Sequence, residues 1–191
     1  MAAVTAPPPA VLPRRRQTLI GTSLVAAAAS MYLLTQLGAY LSARGLNREV
    51  WLSEHSVPLT QPNVMMFTLL LSVVTAQWAV WAIVRDVRSQ AYLASGVTLL
   101  FGLAFLNQAW FLNITLGLPV DGLEGGSFYA VTGSHLVMMI GAILFFALMA
   151  FRALGGNFGS RYPDGVTAAV VFWDVTVFLF SVIWITVYVM K

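Results

Sequence analysis

Residues 166–190 read VTAAVVFWDVTVFLFSVIWITVYVM, a run of 25 residues in which Asp174 is the single charged side chain. An α-helix of about 20 residues crosses the hydrocarbon core of a bilayer, so this run is long enough and apolar enough to span a membrane. Four similar apolar stretches precede it, at 19–41, 62–84, 91–118 and 128–151. The five stretches together predict an all-α integral membrane bundle of five helices.

The composition of the chain agrees with this fold class and excludes several kinds of protein. Of 191 residues, 59% are hydrophobic and 9% are charged, and the mean hydropathy is +0.83. The residues outside the five stretches are too scattered to bury a water-soluble core, which excludes a soluble catalytic domain. The absence of cysteine excludes disulfides, iron–sulfur clusters and cysteine nucleophiles. Loop arginines explain the net charge of +3, so no nucleic-acid partner is expected.

The chain divides into a tail, residues 1–18, and a single transmembrane domain, residues 19–191. The tail is rich in proline and basic residues, and we expect it to be disordered, cytoplasmic and uncleaved. The basic residues on the side of the tail are Arg14, Arg15, Arg16, Arg85, Arg88, Arg152 and Arg161, against Arg44, Arg48 and Lys191 on the other side. The positive-inside rule therefore predicts an inner N-terminus and an outer C-terminus. A first outer loop of 20 residues and later connections of six, about nine and 14 residues predict that consecutive helices pack as antiparallel neighbours.

Polar side chains inside the predicted helices are the first candidates for function, because such groups are costly in a bilayer. Asp174 is the only carboxylate within a predicted helix. It either relays protons or hydrogen-bonds to another helix, and the structural role is favoured because the sequence shows no chain of titratable partners. The alternative is a small proton-coupled transporter or channel that uses Asp174.

His135 lies near the start of the fourth predicted helix, and the only other histidine, His55, lies in a predicted loop. A metal site needs several ligands, so we expect no metal, no directly bound cofactor and no catalytic residue in this chain. Structural hydrogen bonds between helices are expected instead for His135, Asp174, Thr132, Gln108 and Asn107. Gly133 and Gly141 are eight residues apart on one helix face, which predicts a close approach of a neighbouring helix there.

The start of the fourth predicted helix also carries a sequence signature. Residues 127–135 read SFYAVTGSH, which resembles the F-Y-x-x-T-G-x-H signature of subunit III of haem–copper cytochrome c oxidases. The matching residues are Phe128, Tyr129, Thr132, Gly133 and His135. Weaker similarities follow in the family's order at residues 38–44, 77–80 and 102–108, and at Trp173 in the closing helix. The chain resembles the short five-helix bacterial form of the subunit, which lacks the first two helices of the seven-helix form.

The chain departs from the family pattern at four positions. Met138 stands where the family has a second histidine, and Asp174 stands where the closing helix of the family usually has histidine. Ala29 and Phe111 stand where the family carries acidic residues. The chain is therefore similar to a divergent or accessory member, which cannot supply protons through the family's buried glutamate.

The resemblance implies a function, partners and a location. In this family, haem and copper lie in subunits I and II, while subunit III packs beside subunit I, binds phospholipid and supports sustained turnover. The resemblance thus implies a non-catalytic accessory subunit of aerobic respiratory electron transfer in the bacterial cytoplasmic membrane. A subunit III-like protein of nitric oxide reductases shares these signatures and stays an alternative.

Overall fold

The computed structural model describes residues 16–48, 51, 57–155 and 163–190. These residues form five long helices and one π-helical segment, without a strand among them. The helices are α1 (Gln17–Leu46), α2 (Thr60–Val84), α3 (Arg88–Leu116), α4 (Leu123–Leu154) and α5 (Asp164–Ile183), and α5 continues into the π-helical segment Trp184–Val189. Each helix is long and apolar enough to cross a membrane. The predicted all-α, multi-pass membrane bundle is therefore confirmed.

The ends of the helices differ from the ends of the apolar stretches that predicted them. α1 continues to Leu46, five residues beyond the predicted end, and α4 begins at Leu123, five residues before the predicted start. α3 ends at Leu116, because Gly117 has a φ of 57° and this left-handed conformation terminates a helix. Residues 1–15 of the predicted disordered tail, residues 1–18, lie outside the described residues, and α1 begins at Gln17.

The order in which the helices pack differs in part from their order along the chain. α2 packs against α3, α3 against α4, and α4 against α5, as the short connections predict. α1 packs on α5 and α4, so the expectation that α1 and α2 are main neighbours is wrong. The 13 residues of the connection 47–59 can span up to about 45 Å when extended, and they do not force α1 to lie beside α2.

Side-chain pairs between helices show the direction of each helix. α2 and α5 are antiparallel, since Trp184 Nε1 donates to Asn63 Oδ1 near one end of the pair and Gln77 bonds to Asp174 nearer the other. Arg44 Nη1 donates to the carbonyl oxygen of Thr186 at 3.2 Å, so α1 ends beside the π-helical segment. The bundle thus has two ends, named here the Arg44 end and, at the turn between α2 and α3, the Arg85 end.

Trp173 on α5 joins four helices at the centre of the core. Its side chain is fully buried, and Nε1 donates to Ser72 Oγ of α2 at 2.9 Å. The ring packs on Phe146 of α4, with 5.5 Å between ring centroids. On α3, a Cβ at Gly102 would lie 2.6 Å from Cη2 of Trp173, so the indole fits only because residue 102 lacks a side chain.

Candidate functional site

His135 on α4 is enclosed by aromatic side chains and by α5. It is 2% exposed, and its ring lies 5.7 Å from Phe105 and 5.2 Å from Phe180 between centroids. Nε2 lies 3.0 Å from the carbonyl oxygen of Thr176. A carbonyl oxygen only accepts, so Nε2 carries the proton of this hydrogen bond. His135 therefore ties α4 to the backbone of α5.

The space beside His135 is small. A cavity of about 20 Å³ is lined by His135, Thr132, Asn113, Tyr188 and apolar neighbours. This volume is close to that of one water-sized sphere, which needs about 10–15 Å³. The cavity has room for about one water molecule, and His135 lies in a packed joint between helices.

Asp174 lies in a more open position than His135, at the edge of the contact between α5 and α2. Gln77 Nε2 donates to Asp174 Oδ2 at 2.5 Å. Asp174 Oδ1 is buried and has no hydrogen-bond partner among the described residues. Gln77 itself is exposed at the surface of the bundle, while Asp174 is half-buried. The hydrogen-bond partner of Asp174 is therefore Gln77 and not His135.

The bond between Gln77 and Asp174 belongs to a series of polar contacts along the whole α2–α5 contact. From the Arg44 end, the pairs are Trp184 with Asn63 at 2.9 Å, Ser181 with Met66 Sδ at 3.7 Å, Trp173 with Ser72 at 2.9 Å, and Asp174 with Gln77 at 2.5 Å. Each pair joins one side chain of α2 to one of α5 or, for Trp184, of the π-helical segment that continues α5. We name this series the α2–α5 ladder.

α2 is also held to α3 by side-chain hydrogen bonds. Thr98 Oγ1 donates to Thr75 Oγ1 at 2.8 Å, and Gln108 Nε2 lies 3.4 Å from Thr68 Oγ1. Gln108 thus bonds between helices, although its Oε1 is buried without a partner among the described residues. Ser72, Thr75 and Thr98 give no distinguishing signal in the sequence, because hydroxyl residues in apolar helices usually bond to their own backbone.

Two other predicted hydrogen-bonding residues have no partner on another of the described helices. Thr132 Oγ1 donates to the carbonyl oxygen of Phe128 at 2.9 Å, within α4. Asn107 is exposed on the outer side of α3 and makes no hydrogen bond with another described residue. His55 lies outside the described residues.

The signature residues at the start of α4 form part of the aromatic core. Phe128 is buried and packs edge-on against Tyr188 of the π-helical segment, at 6.0 Å between centroids. Tyr129 packs edge-on against Phe128, and its hydroxyl lies 3.5 Å from the carbonyl oxygen of Asn113 on α3. The signature therefore marks the place where α4 meets α3 and the end of α5.

The close approach predicted at Gly133 and Gly141 is not found among the described residues. A Cβ at either glycine would meet no atom of another described helix within 4 Å, and Gly141 is exposed. The two glycines share a face of α4, but that face is not the one against which a described helix is tightly packed. The close approach lies at Gly102, where Trp173 and Ile143 occupy the space of a side chain.

The described residues do not offer a ligand set for a metal ion. No three His, Cys, Asp or Glu side chains within 16–48, 51, 57–155 and 163–190 lie close enough together to hold one. Several polar residues of the bundle, such as His135, Asp174 and Thr132, bond to other side chains or to backbone carbonyls.

Comparison with known proteins matches the chain to one family and to curated relatives with the same name. The sequence profile of the family "Cytochrome c oxidase subunit III" matches residues 18–191. Cytochrome c oxidase subunit 3 of Cyprinus carpio is 31% identical over 133 residues, which cover 69% of this chain and 49% of that protein. The Homo sapiens subunit 3 is 29% identical over 134 residues, with 69% and 49% covered. That of Lemur catta is 32% identical over 133 residues, with 69% and 47% covered. The chain spans about half the length of the curated relatives that it matches.

Proposed function

The chain belongs to the cytochrome c oxidase subunit III family, and from this we propose that it is a non-catalytic accessory subunit of a haem–copper terminal oxidase. The observation that carries the proposal is the length of the family match, which runs over residues 18–191 and so includes all five helices. In this proposal the chain packs on the catalytic subunit I, near subunit II, and supports aerobic respiratory electron transfer. Haem and copper are held by those partner subunits.

The surroundings of the polar residues support an accessory role. His135 bonds to a backbone carbonyl and lines a cavity of only about 20 Å³, and Asp174 bonds to Gln77. The described residues have no cluster of ligands for a metal ion. The polar contacts of the chain hold its own helices in one arrangement. We propose that the chain also holds the helices of the neighbouring subunit in one arrangement.

An apolar groove supports the binding of phospholipid. The groove has a volume of about 130 Å³ and lies near the Arg85 end between α3, α4 and the end of α2. Most of its lining residues are small or apolar, and Tyr92 and Ser95 add two hydroxyl groups. Among the lining residues are Ile83, Ala91, Leu99, Ala147 and Phe151. A lipid acyl chain has the apolar, flexible shape that such a groove accepts. We propose that the chain binds phospholipid there.

The charges of the described residues support the proposed orientation. Arg16, Arg85, Arg88 and Arg152 lie toward the Arg85 end, and Arg44 and Arg48 lie at the Arg44 end. An excess of arginine marks the cytoplasmic side of a membrane protein. We propose that the chain lies in the bacterial cytoplasmic membrane with the Arg85 end and the N-terminus inside.

Purification of the tagged chain from the membranes of its source cells tests the proposed function. Extraction in mild detergent is followed by a visible spectrum and by mass spectrometry of the co-purifying proteins. We expect haem bands and a multi-helix haem-bearing oxidase subunit. A nitric oxide reductase subunit in its place would support the alternative complex, and a colourless chain that purifies alone would contradict an accessory role.

A pair of substitutions on α4 makes the same experiment more specific. His135 is 2% exposed, and Val137, two residues away, is 71% exposed. We expect His135→Ala to lower the haem recovered per tagged chain, because it loosens α4 from α5. Val137→Ala should leave the recovery unchanged. Equal loss from both variants would mean that substitution of α4 in general, and not the His135 joint, controls assembly.

A further inference from the structure

The outer side of α3 carries a regular series of exposed residues with one polar member. Its members are Leu93, Gly96, Leu100, Leu103, Asn107, Trp110 and Ile114, all of them exposed. They follow one another at alternating spacings of three and four residues, and we name this surface the Asn107 face. A spacing that averages 3.5 residues is that of a helix whose seam packs along a second helix. The series continues for three heptads.

Asn107 lies within the part of α3 that crosses the apolar core of a membrane. It is nine residues from the end of the helix at Leu116, which corresponds to about 13 Å along the axis. The hydrocarbon core is about 30 Å thick, and lipid tails offer no hydrogen bond to an amide. The side chain of Asn107 has two donors and an acceptor, and no hydrogen bond joins it to another described residue.

Other outward polar side chains at depth are satisfied within the chain. On α1, Ser23 Oγ donates to the carbonyl oxygen of Leu19 at 2.9 Å, and Thr35 Oγ1 donates to that of Met31 at 2.8 Å. On α2, Gln77 bonds to Asp174. Lipid can cover α1 without leaving these hydroxyl groups unpaired. The side chain of Asn107 has no hydrogen-bond partner within the described bundle, so the Asn107 face needs a polar group from outside that bundle.

We propose that the Asn107 face packs against a transmembrane helix of the neighbouring oxidase subunit, and that this helix presents a hydrogen-bonding side chain to Asn107. The proposal rests on the proposed function, since it names the surface by which this chain meets its partner. The partner helix carries Ser, Thr, Asn, Gln or His at this depth, because such groups both donate to and accept from an amide. A single polar residue in an apolar seam also fixes the register of the two helices.

Photocrosslinking from three exposed positions tests this surface. Leu103 lies on the Asn107 face and is 58% exposed. Val137 of α4 and Leu34 of α1 are matched controls on other outward surfaces, 71% and 49% exposed. Each is replaced in turn by a photoreactive amino acid in the tagged full chain, and the membranes are irradiated before extraction. We expect position 103 to crosslink to the haem-bearing subunit and positions 137 and 34 to give no such product.

A substitution of Asn107 adds a second measurement. We expect Asn107→Leu to lower the haem-bearing subunit recovered per chain by about threefold to tenfold, the effect of losing one hydrogen bond between membrane helices. The thermal midpoint of the chain purified alone should not fall, because Asn107 has no partner within the described bundle. A lower midpoint would contradict the proposal, since it would mean that Asn107 supports the fold of the chain itself.

The outcomes separate failure of this inference from failure of the proposed function. Crosslinks to the haem-bearing subunit from position 137 or 34 alone would overturn the inference and leave the proposed function standing. A crosslink from position 103 to a second copy of this chain, beside an oxidase subunit that co-purifies, would do the same. A wild-type chain that purifies without any haem-bearing subunit would overturn the proposed function, and the inference with it.

Discussion

His135 and Asp174 are both polar residues in apolar helices, yet the structure gives them different surroundings. His135 is 2% exposed, lies between aromatic rings and bonds to a backbone carbonyl. Asp174 is half-buried and bonds to the side chain of Gln77 near the bundle surface. The acceptor of His135 is present whatever residue stands at position 176, whereas the bond of Asp174 exists only because α2 carries an amide at position 77.

The difference separates two ways of joining membrane helices. A buried ring that bonds to a backbone carbonyl contributes both packing and a hydrogen bond. Its loss therefore leaves a cavity and also removes that hydrogen bond. A pair of side chains at the edge contributes mainly the hydrogen bond, and measured bonds of this kind in membranes average about 0.6 kcal/mol. Substitution at His135 should therefore cost more stability than substitution at Asp174.

The largest effect is expected for His135→Ala. Removal of the ring leaves a cavity among Phe105 and Phe180 and should lower the free energy of unfolding by about 2 to 4 kcal/mol. Thermal denaturation in detergent, with intrinsic tryptophan fluorescence as the signal, measures the change. His135→Phe keeps most of the packing and should lose only about 0.6 to 2 kcal/mol. Equal losses from both variants would show that the hydrogen bond, and not the packing, dominates at this site.

A smaller loss is expected for Gly102→Ala, which tests the packing of the same core on α3. The new Cβ would meet Trp173 and Ile143, so the indole must shift, and overpacking of this kind costs about 1 to 3 kcal/mol. Gly141→Ala is the matched control, because a Cβ there meets nothing within 4 Å. The same denaturation experiment should show no loss for the control. A stable Gly102→Ala variant would contradict the close approach at Trp173.

The smallest effect is expected for Asp174→Asn. The asparagine keeps an acceptor oxygen for Gln77, so we expect the free energy of unfolding to change by less than about 1 kcal/mol. Gln77→Leu removes the donor and should cost about as much as one interhelical hydrogen bond, about 0.6 to 1.7 kcal/mol. A loss from Asp174→Asn as large as that from His135→Ala would remove the distinction between the two sites.

The helices and the identity of the family could be predicted from the sequence, because both depend on patterns that are local in the chain. Apolar stretches long enough to span a bilayer are visible without any tertiary contact, and the signature from Phe128 to His135 lies within one helix. The sequence also predicts that His135 bonds between helices, since a lone histidine in an apolar helix has few other partners.

The pairing of residues from different helices could not be predicted, because it depends on the rotation of each helix about its axis. Gly133 and Gly141 share a face, but the sequence does not show which helix that face meets. The α2–α5 ladder and the close approach at Gly102 arise only when the helices are placed together. The prediction that α1 packs beside α2 is wrong for the same reason, because a long connection leaves several arrangements open.

Turnover of the assembled complex that carries Asp174→Asn tests the accessory role most directly. The measurement is electron transfer to the terminal acceptor per haem, made on complex that retains this chain. A structural role for Asp174 predicts the same rate per haem as in the wild-type complex. Full assembly with a large loss of turnover would contradict that role, because it would show that the carboxyl group of Asp174 takes part in the chemistry.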